Sequence, residues 1–206
     1  MTTSINYNQY AIIPYVNYSD FIRTTVEKYQ REQKKEKTNQ IASTSFKETP
    51  DTQSVTLTLV RHGETTWNAI KRIQGQLSYY TEQDGTVVPI TLSDKGRQQA
   101  EQIEQKLRTM KFSRCYSSDL KRAVDTAIIV TKNLNLPILQ DSRLRERSRG
   151  EWEGKFESEF SKASQAEKQN IEGDESMCER IFSFLNHAAA ENPNGTVLVV
   201  VHERVI

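Results

Sequence analysis

The chain has 206 residues, with 28 lysines and arginines against 27 aspartates and glutamates, and a formal net charge of +1. This balance removes the electrostatic argument for nucleic acid as the main partner. No run of about 18 apolar residues and no secretory signal is evident, so we expect no membrane partner. Two cysteines are too few for a disulfide scaffold or a cysteine-based zinc site. We therefore expect a cytoplasmic protein.

The composition changes near residue 54 and divides the sequence into two regions. Residues 1–54 are polar, and within them Ile22, Val26 and Tyr29 have the spacing of one helix face. Residues 38–54 are rich in serine and threonine and have the composition of a linker. We predict a polar N-terminal extension and linker over 1–54, with one amphipathic helix, and a folded domain over 55–206. The extension is either a docking or targeting element or a loosely ordered segment, and the weak stripe favours the second.

From residue 55 onward, patterns typical of strands and helices alternate. The sequence predicts strands over 55–60, 114–116, 137–139 and 196–201, and helices over 94–110, 119–133 and 174–190. The last strand is rich in valine and apolar at almost every position, which is typical of a strand buried on both faces. The alternation indicates an α/β fold, a three-layer sandwich in which a mainly parallel sheet is flanked by helices.

Two of the three histidines follow predicted strands. His62 comes after the first strand of the domain, and His202 comes after the last. Ligands of open α/β sheets bind beyond the carboxyl ends of the strands, so both rings face one crevice if these strands are neighbours. A single histidine at a strand end is more often structural than catalytic. The cations beside both of these histidines favour a functional site instead.

The residues around the two histidines predict an anion pocket. Arg61 directly precedes His62, and Arg122 opens a predicted helix after another strand. A guanidinium group presents a planar fork of donors that matches phosphate oxygens. Asn68 can donate its amide to the same anion, and the backbone amides around Gly63 add further donors. No carboxylate pair or cysteine cluster there suggests a metal, so we expect neither metal nor cofactor, and a phosphoryl group as the ligand.

A series of sequence blocks occurs in an order typical of one family. The blocks are LTLVRHGETTWN at 57–68, IQGQ at 73–76, TLSDKG at 91–96, YSSDLKRA at 116–123, LRERSRGEWEG at 144–154 and VVVH at 199–202. Together they resemble the signature of the histidine phosphatase superfamily, which has the phosphoglycerate-mutase-like fold. The resemblance covers residues 55–206, about three quarters of the chain.

The resemblance implies a metal-independent phosphatase that hydrolyses phosphomonoesters, sugar phosphates among them, through a phosphohistidine intermediate. It implies catalytic roles for three residues: His62 as the nucleophile, Glu146 as the acid that protonates the leaving alcohol and later activates water, and His202 as a residue that binds the phosphoryl oxygens. It also implies a phosphate-binding set of Arg61, Asn68, Gly75 and Arg122. The expected partner is a small-molecule phosphate ester, and the oligomeric state is not indicated.

Two alternatives stay open at this stage. Sequence position alone explains Glu146 equally well by a salt bridge with Arg145 or Arg147. The block at 144–154 is more similar to the phosphatase branch, including fructose-2,6-bisphosphatase-like and broad-specificity phosphatases, than to the glycolytic mutases. Phosphoglycerate mutase is therefore the enzymatic alternative.

One departure from the family pattern concerns a loop. The segment between residues 76 and 92 is longer than usual. Asp84 and Gly85 predict a hairpin turn within it. The hairpin either shapes the mouth of the pocket or is an ordinary surface loop, and the second is the commoner case.

Two further departures concern the C-terminal end. Glu203 stands where glycine is usual after the second histidine, which places a carboxylate beside an anion pocket unless it points away or pairs with Arg204 or Arg61. Relatives continue past the position of Ile206 with a helix and more sheet. We therefore expect either that the C-terminal part of the domain is missing and the last strand shows bare apolar surface, or that the N-terminal extension replaces the missing cover. Both features predict low activity. They favour the alternative of a pseudoenzyme that binds phosphorylated ligands or proteins.

Overall fold

The computed structural model describes the backbone of residues 5–9 and the whole of residues 55–206. The strands are β1 (Ile5–Gln9), β2 (Val55–Arg61), β3 (Tyr79–Thr81), β4 (Val87–Pro89), β5 (Arg114–Ser117), β6 (Ile138–Gln140) and β7 (Thr196–Val201). The helices are α1 (Thr66–Ala69), α2 (Asp94–Leu107), α3 (Lys121–Thr131), α4 (Glu157–Lys162) and α5 (Asp174–Glu191), and single 3₁₀ turns lie at Ser142–Leu144, Gly150–Trp152 and Ala166–Lys168. The strands and helices predicted for residues 55–206 are confirmed, with ends shifted by at most three residues.

The main sheet has the strand order β1-β2-β7-β5-β6, and the described pairs are all parallel. The central pair brings together the first and last strands of the predicted domain, with Arg61 opposite Val201. Both strands therefore end at the same edge of the sheet, and the chain positions that follow them are neighbours.

Helices cover both faces of the sheet, which confirms the three-layer sandwich. On one face, Leu198 and Val200 pack with apolar residues of α2 and α3 such as Leu107. On the other face, Val199 packs with Phe184 of α5. Burying a side chain of this size stabilises the fold by roughly 1.5–3 kcal/mol.

Strand β7 corrects one expectation. Val201 and the four residues before it each have 0% exposed surface. The side chains that alternate along β7 divide between the two core clusters, and α5 contributes Phe184 and Ala188 to the second of them. The prediction that the last strand presents bare apolar surface is therefore wrong, because α5 covers the face that was thought to lack a helix.

Strand β1 lies within the region that the sequence analysis assigned entirely to an extension. Its five residues pair with β2, from Ile5 opposite Val55 to Gln9 opposite Leu59. Asparagine and glutamine give this segment a weak strand pattern, and an edge strand is held chiefly by backbone hydrogen bonds that side chains do not encode. The predicted helix stripe at 22–29 and the linker at 38–54 lie outside the described residues.

Strands β3 and β4 form the predicted hairpin. Gly85 has a φ of +86°, and the backbone N–H of Thr86 donates to Asp84 Oδ1 over 2.8 Å. At the base of the hairpin, Ser78 Oγ accepts a hydrogen bond of 3.0 Å from the backbone N–H of Lys121, the first residue of α3. The hairpin is therefore joined to the helix that carries Arg122. Among the helices described, none is both long and apolar enough to cross a bilayer.

Candidate active site

The two histidines predicted to meet are in contact at the carboxyl edge of the sheet. The ring centroids of His62 and His202 are 5.1 Å apart, with an angle of 57° between the ring planes. The backbone N–H of His62 donates to the carbonyl of Val201 over 2.9 Å, which continues the pairing of β2 with β7 past the strand end. The exposed fraction is 8% for His62 and 0% for His202. The parallel pairing of the two strands thus creates the site.

Burial keeps both imidazoles neutral. It lowers the pKa of each ring well below the ordinary value of 6.5, and the nearby positive charge of Arg122 lowers both pKa values further. His62 Nδ1 lies 2.8 Å from the carbonyl oxygen of Gly63. A carbonyl only accepts hydrogen bonds, so Nδ1 carries the proton and Nε2 keeps a free lone pair. Neither ring nitrogen of His202 has a hydrogen-bond partner among the described residues.

Arg122 is a buried cation beside the two rings, with 2% of its surface exposed. Its Nη1 donates to the carbonyl of Leu77 over 3.0 Å, and its Nη2 donates to the carbonyl of Gly75 over 2.7 Å. Its Nε has no partner within the described ranges. Burial lowers the pKa of Arg122 to about 10, opposed by Glu146 and Glu153, and the guanidinium remains charged at neutral pH. Two carbonyls therefore fix one side of the group and leave further donors for a ligand.

Gly75 positions Arg122 through its carbonyl. Its φ of +51° lies in the left-handed region, and an added Cβ would be 2.2 Å from Glu153 Oε1. That carboxylate oxygen also accepts hydrogen bonds from the backbone N–H groups of Gln76 and Arg149, at 3.0 and 2.9 Å. The sequence analysis did not assign a role to Glu153, although its place in the GEWEG block was a usable signal. Direct contact between Gly75 and phosphate stays a prediction.

Asn68 is held in a local cap of α1. Its Oδ1 accepts hydrogen bonds from the backbone N–H and the hydroxyl of Thr65, at 3.0 and 2.9 Å. The amide oxygen is thereby used within the cap, and the amide NH₂ group remains for the predicted contact with an anion. The cap therefore fixes the rotamer of Asn68 from which its NH₂ group would contact the anion.

Glu203 forms an ion pair with Arg61. The Oε2 atom of Glu203 is 2.5 Å from Arg61 Nη2, and the side chains are 50% and 29% exposed respectively. The sequence left three possibilities for Glu203: it points away from the pocket, pairs with Arg204 or pairs with Arg61. In the structure it pairs with Arg61. The guanidinium expected to bind phosphate is therefore shared with a carboxylate of the protein.

The Glu146 carboxylate is held by backbone donors. Oε1 accepts a hydrogen bond of 2.8 Å from the N–H of Arg147, and Oε2 accepts one of 3.5 Å from the N–H of Arg204. The two proposed salt-bridge partners are engaged elsewhere: Arg145 binds Asp119 over 2.5 Å, and Arg147 binds Asp174. The structural alternative for Glu146 is therefore wrong, and its carboxylate lies beside the turn that follows His202.

Two supports of the site had no role in the sequence analysis. The backbone N–H of Gly63 donates to Thr126 Oγ1 over 3.0 Å, and that hydroxyl donates to the carbonyl of Arg122 over 2.7 Å. The backbone N–H of Glu64 donates to Gln99 Oε1 over 2.9 Å. The prediction that the amides around Gly63 are donors for the anion is therefore wrong, because side chains of α2 and α3 accept their hydrogen bonds.

Gly63 also packs on Gly96, where an added Cβ would be 2.3 Å from the Gly96 carbonyl oxygen. Glycine is disfavoured within helices, so the presence of Gly96 in the first turn of α2 was a sequence signal for such a close contact. No group of three or more potential metal-ligating side chains occurs in the described part of the chain.

Comparison with known proteins agrees with this geometry. Residues 57–206 match the family described as the histidine phosphatase superfamily (branch 1). The chain belongs to this superfamily, as the sequence blocks implied.

Two relatives match most of the chain. Phosphoglycerate mutase-like protein 4 of Arabidopsis thaliana is 35% identical over 171 residues, which cover 76% of this chain and 70% of that protein. Phosphoserine phosphatase 1 of Hydrogenobacter thermophilus is 32% identical over 160 residues, which cover 72% of this chain and 71% of that protein.

Among solved structures, YhfR of Bacillus stearothermophilus has a TM-score of 0.64 and 32% identity, covering 73% of this chain and 75% of that chain. A mycobacterial glucosyl-3-phosphoglycerate phosphatase has a TM-score of 0.60 and 26% identity, and the match covers 71% of this chain and 75% of that chain. The fold is phosphoglycerate-mutase-like, and the family and its phosphatase members identify an enzyme of the phosphomonoester hydrolase class.

Proposed function

We propose that the chain hydrolyses small phosphomonoesters through a phosphohistidine intermediate on His62. The hydrogen bond between His62 Nδ1 and the Gly63 carbonyl carries this proposal, because it leaves Nε2 unprotonated in a neutral ring. A neutral imidazole nitrogen beside buried positive charge is a competent nucleophile for a phosphoryl group. The cytoplasm is the proposed compartment, supported by the two free cysteine thiols.

In the first step, His62 Nε2 attacks phosphorus and the P–O bond to the alcohol breaks. Protonated Glu146 gives its proton to the departing oxygen, so the alcohol leaves neutral and Glu146 becomes a carboxylate. The phosphoryl group is then bonded to His62, and Nδ1 keeps its proton through the Gly63 carbonyl. A covalent intermediate divides one difficult displacement into two easier ones.

In the second step, water attacks the phosphorus of phosphohistidine. The Glu146 carboxylate takes a proton from that water, the N–P bond breaks, and inorganic phosphate leaves. Glu146 is then protonated again and His62 is neutral, so the cycle closes without net change in the protein. The backbone N–H groups of Arg147 and Arg204 hold the Glu146 side chain in place.

Positive charge around the phosphoryl oxygens lowers the barrier of each displacement. We assign this role to Arg122, Arg61 and the amide of Asn68, with a ring N–H of His202 as a further donor. Arg122 is strongest among these because its burial at 2% exposure strengthens its electrostatic effect. The substrates named for relatives, phosphoserine and glucosyl-3-phosphoglycerate, support a small phosphate ester, and sugar phosphates belong to the same class.

The test combines turnover with trapping of the intermediate. The full chain is incubated with a generic phosphomonoester and a metal chelator, and released phosphate is measured for wild type, His62→Ala and His187→Ala. His187 is an exposed histidine of α5 and controls for the loss of any imidazole. We expect chelator-resistant turnover in wild type and His187→Ala, and turnover lower by about 10⁴-fold in His62→Ala. An acid-labile phosphoenzyme should form in wild type and His187→Ala but not in His62→Ala. Equal turnover in all three variants would exclude His62 as the nucleophile.

Two alternatives have their own supporting observations. The relative named as a phosphoglycerate mutase-like protein supports a mutase, which would show as isomerisation of 3-phosphoglycerate in the presence of a bisphosphorylated primer. The Arg61–Glu203 ion pair supports a binding protein without turnover, because it occupies a phosphate-binding group. Binding of vanadate or phosphate without release of product would identify that second alternative.

A further inference from the structure

Glu146 lies in a segment that is neither helix nor strand. The segment, residues 145–149, follows the 3₁₀ turn at Ser142–Leu144 and precedes the one at Gly150–Trp152. A segment without a continuous ladder of backbone hydrogen bonds needs partners for its carbonyl groups from elsewhere in the fold. The position of Glu146 therefore depends on the groups that bind this backbone.

The contacts of the Glu146 carboxylate do not fix its position independently of that backbone. Its Oε1 accepts a hydrogen bond of 2.8 Å from the N–H of Arg147, the next residue of the same segment. Its Oε2 accepts one of 3.5 Å from the N–H of Arg204, which is long for a hydrogen bond. The place of the carboxylate therefore follows the place of the segment.

Arg180 of α5 binds this backbone up to Glu146. Its Nη1 donates to the carbonyls of Arg143 and Arg145, over 2.7 and 2.6 Å. Its Nη2 donates to the carbonyl of Glu146 itself over 3.4 Å. One guanidinium group thus joins α5 to three carbonyls of the chain that carries the acid.

Glu172 extends this hold to the other side of Glu146. Its Oε1 and Oε2 accept hydrogen bonds of 2.6 and 2.8 Å from Arg180 Nε and Nη2. Its Oε2 also accepts one of 3.1 Å from the backbone N–H of Ser148. The side chains of Arg180 and Glu172 are only 17% and 11% exposed, so water and salt screen this bidentate pair weakly. The backbone is therefore held both before and after the acid.

The five N–H donors of Arg180 are all in use. Nε binds Glu172, Nη1 binds two carbonyls, and Nη2 binds Glu172 and the Glu146 carbonyl. Arg122 differs, because its Nε has no partner among the described residues. Arg180 therefore has no donor left for a phosphate group, and its contacts fit a role that acts through Glu146.

We propose that Arg180 is a positioning residue, which places Glu146 for proton transfer by binding the backbone that carries it. The inference rests on the proposed function, in which Glu146 protonates the leaving alcohol. Proton transfer requires the acid to lie within hydrogen-bond reach of that oxygen. A displacement of about 1 Å can lower the rate by about 10²-fold. Loss of Arg180 therefore slows reactions that need the acid and spares those that do not.

Two substrates that differ by one methylene group separate these cases. p-Nitrophenyl phosphate releases a phenolate that is stable without a proton, whereas p-nitrobenzyl phosphate releases an alcohol that must be protonated as it leaves. For each ester, kcat/KM reports the transfer of the phosphoryl group to His62, in which the leaving group departs. The full chain is assayed with both esters as wild type, Arg180→Gln, Arg180→Lys and Arg143→Gln.

Arg143→Gln is the matched control. Arg143 also joins this part of the chain to α5, through a hydrogen bond of 3.0 Å from Nη1 to the carbonyl of Ser183, and it pairs with Asp141 over 2.6 Å. Its guanidinium binds these two residues rather than the backbone of Glu146. The variant therefore weakens the contact with α5 without removing a hydrogen bond to the acid.

We expect Arg180→Gln to lower kcat/KM by about 10–100-fold for p-nitrobenzyl phosphate and by less than about threefold for p-nitrophenyl phosphate. Arg180→Lys keeps the charge and one donor group, so its ratio between the two esters should lie between those of wild type and Arg180→Gln. Arg143→Gln should keep the wild-type ratio within about twofold. In a Glu146→Gln background, adding Arg180→Gln should change either rate by less than about threefold, because the acid is already absent.

An equal loss for both esters in Arg180→Gln, or a selective loss that persists in the Glu146→Gln background, would show that Arg180 does not act through the acid and would overturn the proposal. Thermal melts show which variants are folded, and if Arg180→Gln is not, Arg180→Lys decides by the same ratio. Turnover of both esters without a selective loss removes the positioning role and keeps the proposed function. Absence of turnover in wild type removes both.

Discussion

The floor and the rim of the candidate active site are built in different ways. The floor consists of His62, His202 and Arg122, which are at most 8% exposed and are held by backbone carbonyls and strand pairing. The rim consists of exposed or half-exposed charges, namely Arg61, Glu203, Arg149 and Arg204. A buried group cannot change without disturbing the fold, whereas an exposed charge can change at little cost to stability. Under the proposed function, the floor sets the chemistry and the rim adjusts affinity and substrate choice.

The largest effect is expected for the buried cation of the floor. Arg122→Lys keeps the charge but loses the forked guanidinium. That fork donates to the carbonyls of Leu77 and Gly75 and, in the proposed function, to phosphate as well. We expect a fall in kcat/KM of about 10²–10³-fold, typical of the loss of one transition-state donor. Arg114→Lys, in the first position of β5 and paired with Glu191, is the matched control and should change kcat/KM less than about twofold. A thermal melt shows whether each variant is folded, and a folded Arg122→Lys with full activity would contradict the assignment.

The second prediction concerns the close packing under the floor. In Gly63→Ala the new Cβ would be 2.3 Å from the Gly96 carbonyl oxygen, and backbone cannot move aside as a flexible side chain can. We expect the free energy of unfolding to fall by about 3 kcal/mol or more, measured by urea denaturation. Gly173→Ala is the control, because no atom lies within 4 Å of its added Cβ. A loss of less than about 1 kcal/mol in Gly63→Ala would show that the two glycines do not need to touch.

The third prediction is a pH dependence of stability that originates in the floor. His62 and His202 have pKa values well below 6.5 in the folded chain, so below pH 6.5 the unfolded chain takes up protons that the folded chain does not. The free energy of unfolding should therefore decrease as the pH falls from 6.5, by up to about 1.4 kcal/mol per pH unit for each ring. Above about pH 7.5 both rings are neutral in the folded and in the unfolded chain, so they should cause no further change in this free energy. Urea denaturation between pH 7.5 and 5 measures this range, above the region where carboxylates titrate.

Histidine variants decide whether the buried rings cause that slope. His202→Asn should reduce it by about half, since one of the two rings is removed. His187→Asn, on the exposed surface of α5, should leave it as in wild type. A slope that is unchanged in His202→Asn would assign the pH dependence to other groups.

The smallest effect is expected at the rim. Glu203→Gln removes the carboxylate that pairs with Arg61 and frees that guanidinium for the phosphate that we propose it binds. Because half of the Glu203 side chain is exposed, water screens the pair, and we expect phosphate or vanadate to bind only about threefold tighter. Calorimetry at low and at high salt measures the change, which should shrink as salt is added. Weaker binding in Glu203→Gln would mean that Glu203 supports Arg61 and does not compete with the ligand.

The sequence predicted the floor better than the rim. His62 and His202 are separated by 140 positions, yet their contact followed from two strand patterns and the parallel arrangement that alternating helices require. The hairpin turn at Asp84 and Gly85 was equally visible, because its backbone conformation needs these residue types. Strand β1 was missed because backbone pairing at a sheet edge places few demands on side chains.

The amino-acid sequence alone determined the order of the strands and helices predicted within residues 55–206, the apolar character of β7 and the presence of imidazole and guanidinium groups at strand ends, because these depend on local periodicity. Tertiary structure alone decided which arginine pairs with Glu203, which carboxylates bind Arg145 and Arg147 and which ring nitrogen of His62 is free. The physical reason is that hydrophobic patterns act along the chain over a few residues. An ion pair or a tautomer depends instead on distances of a few ångströms between residues far apart in sequence, and many arginines are equally eligible until the chain has folded.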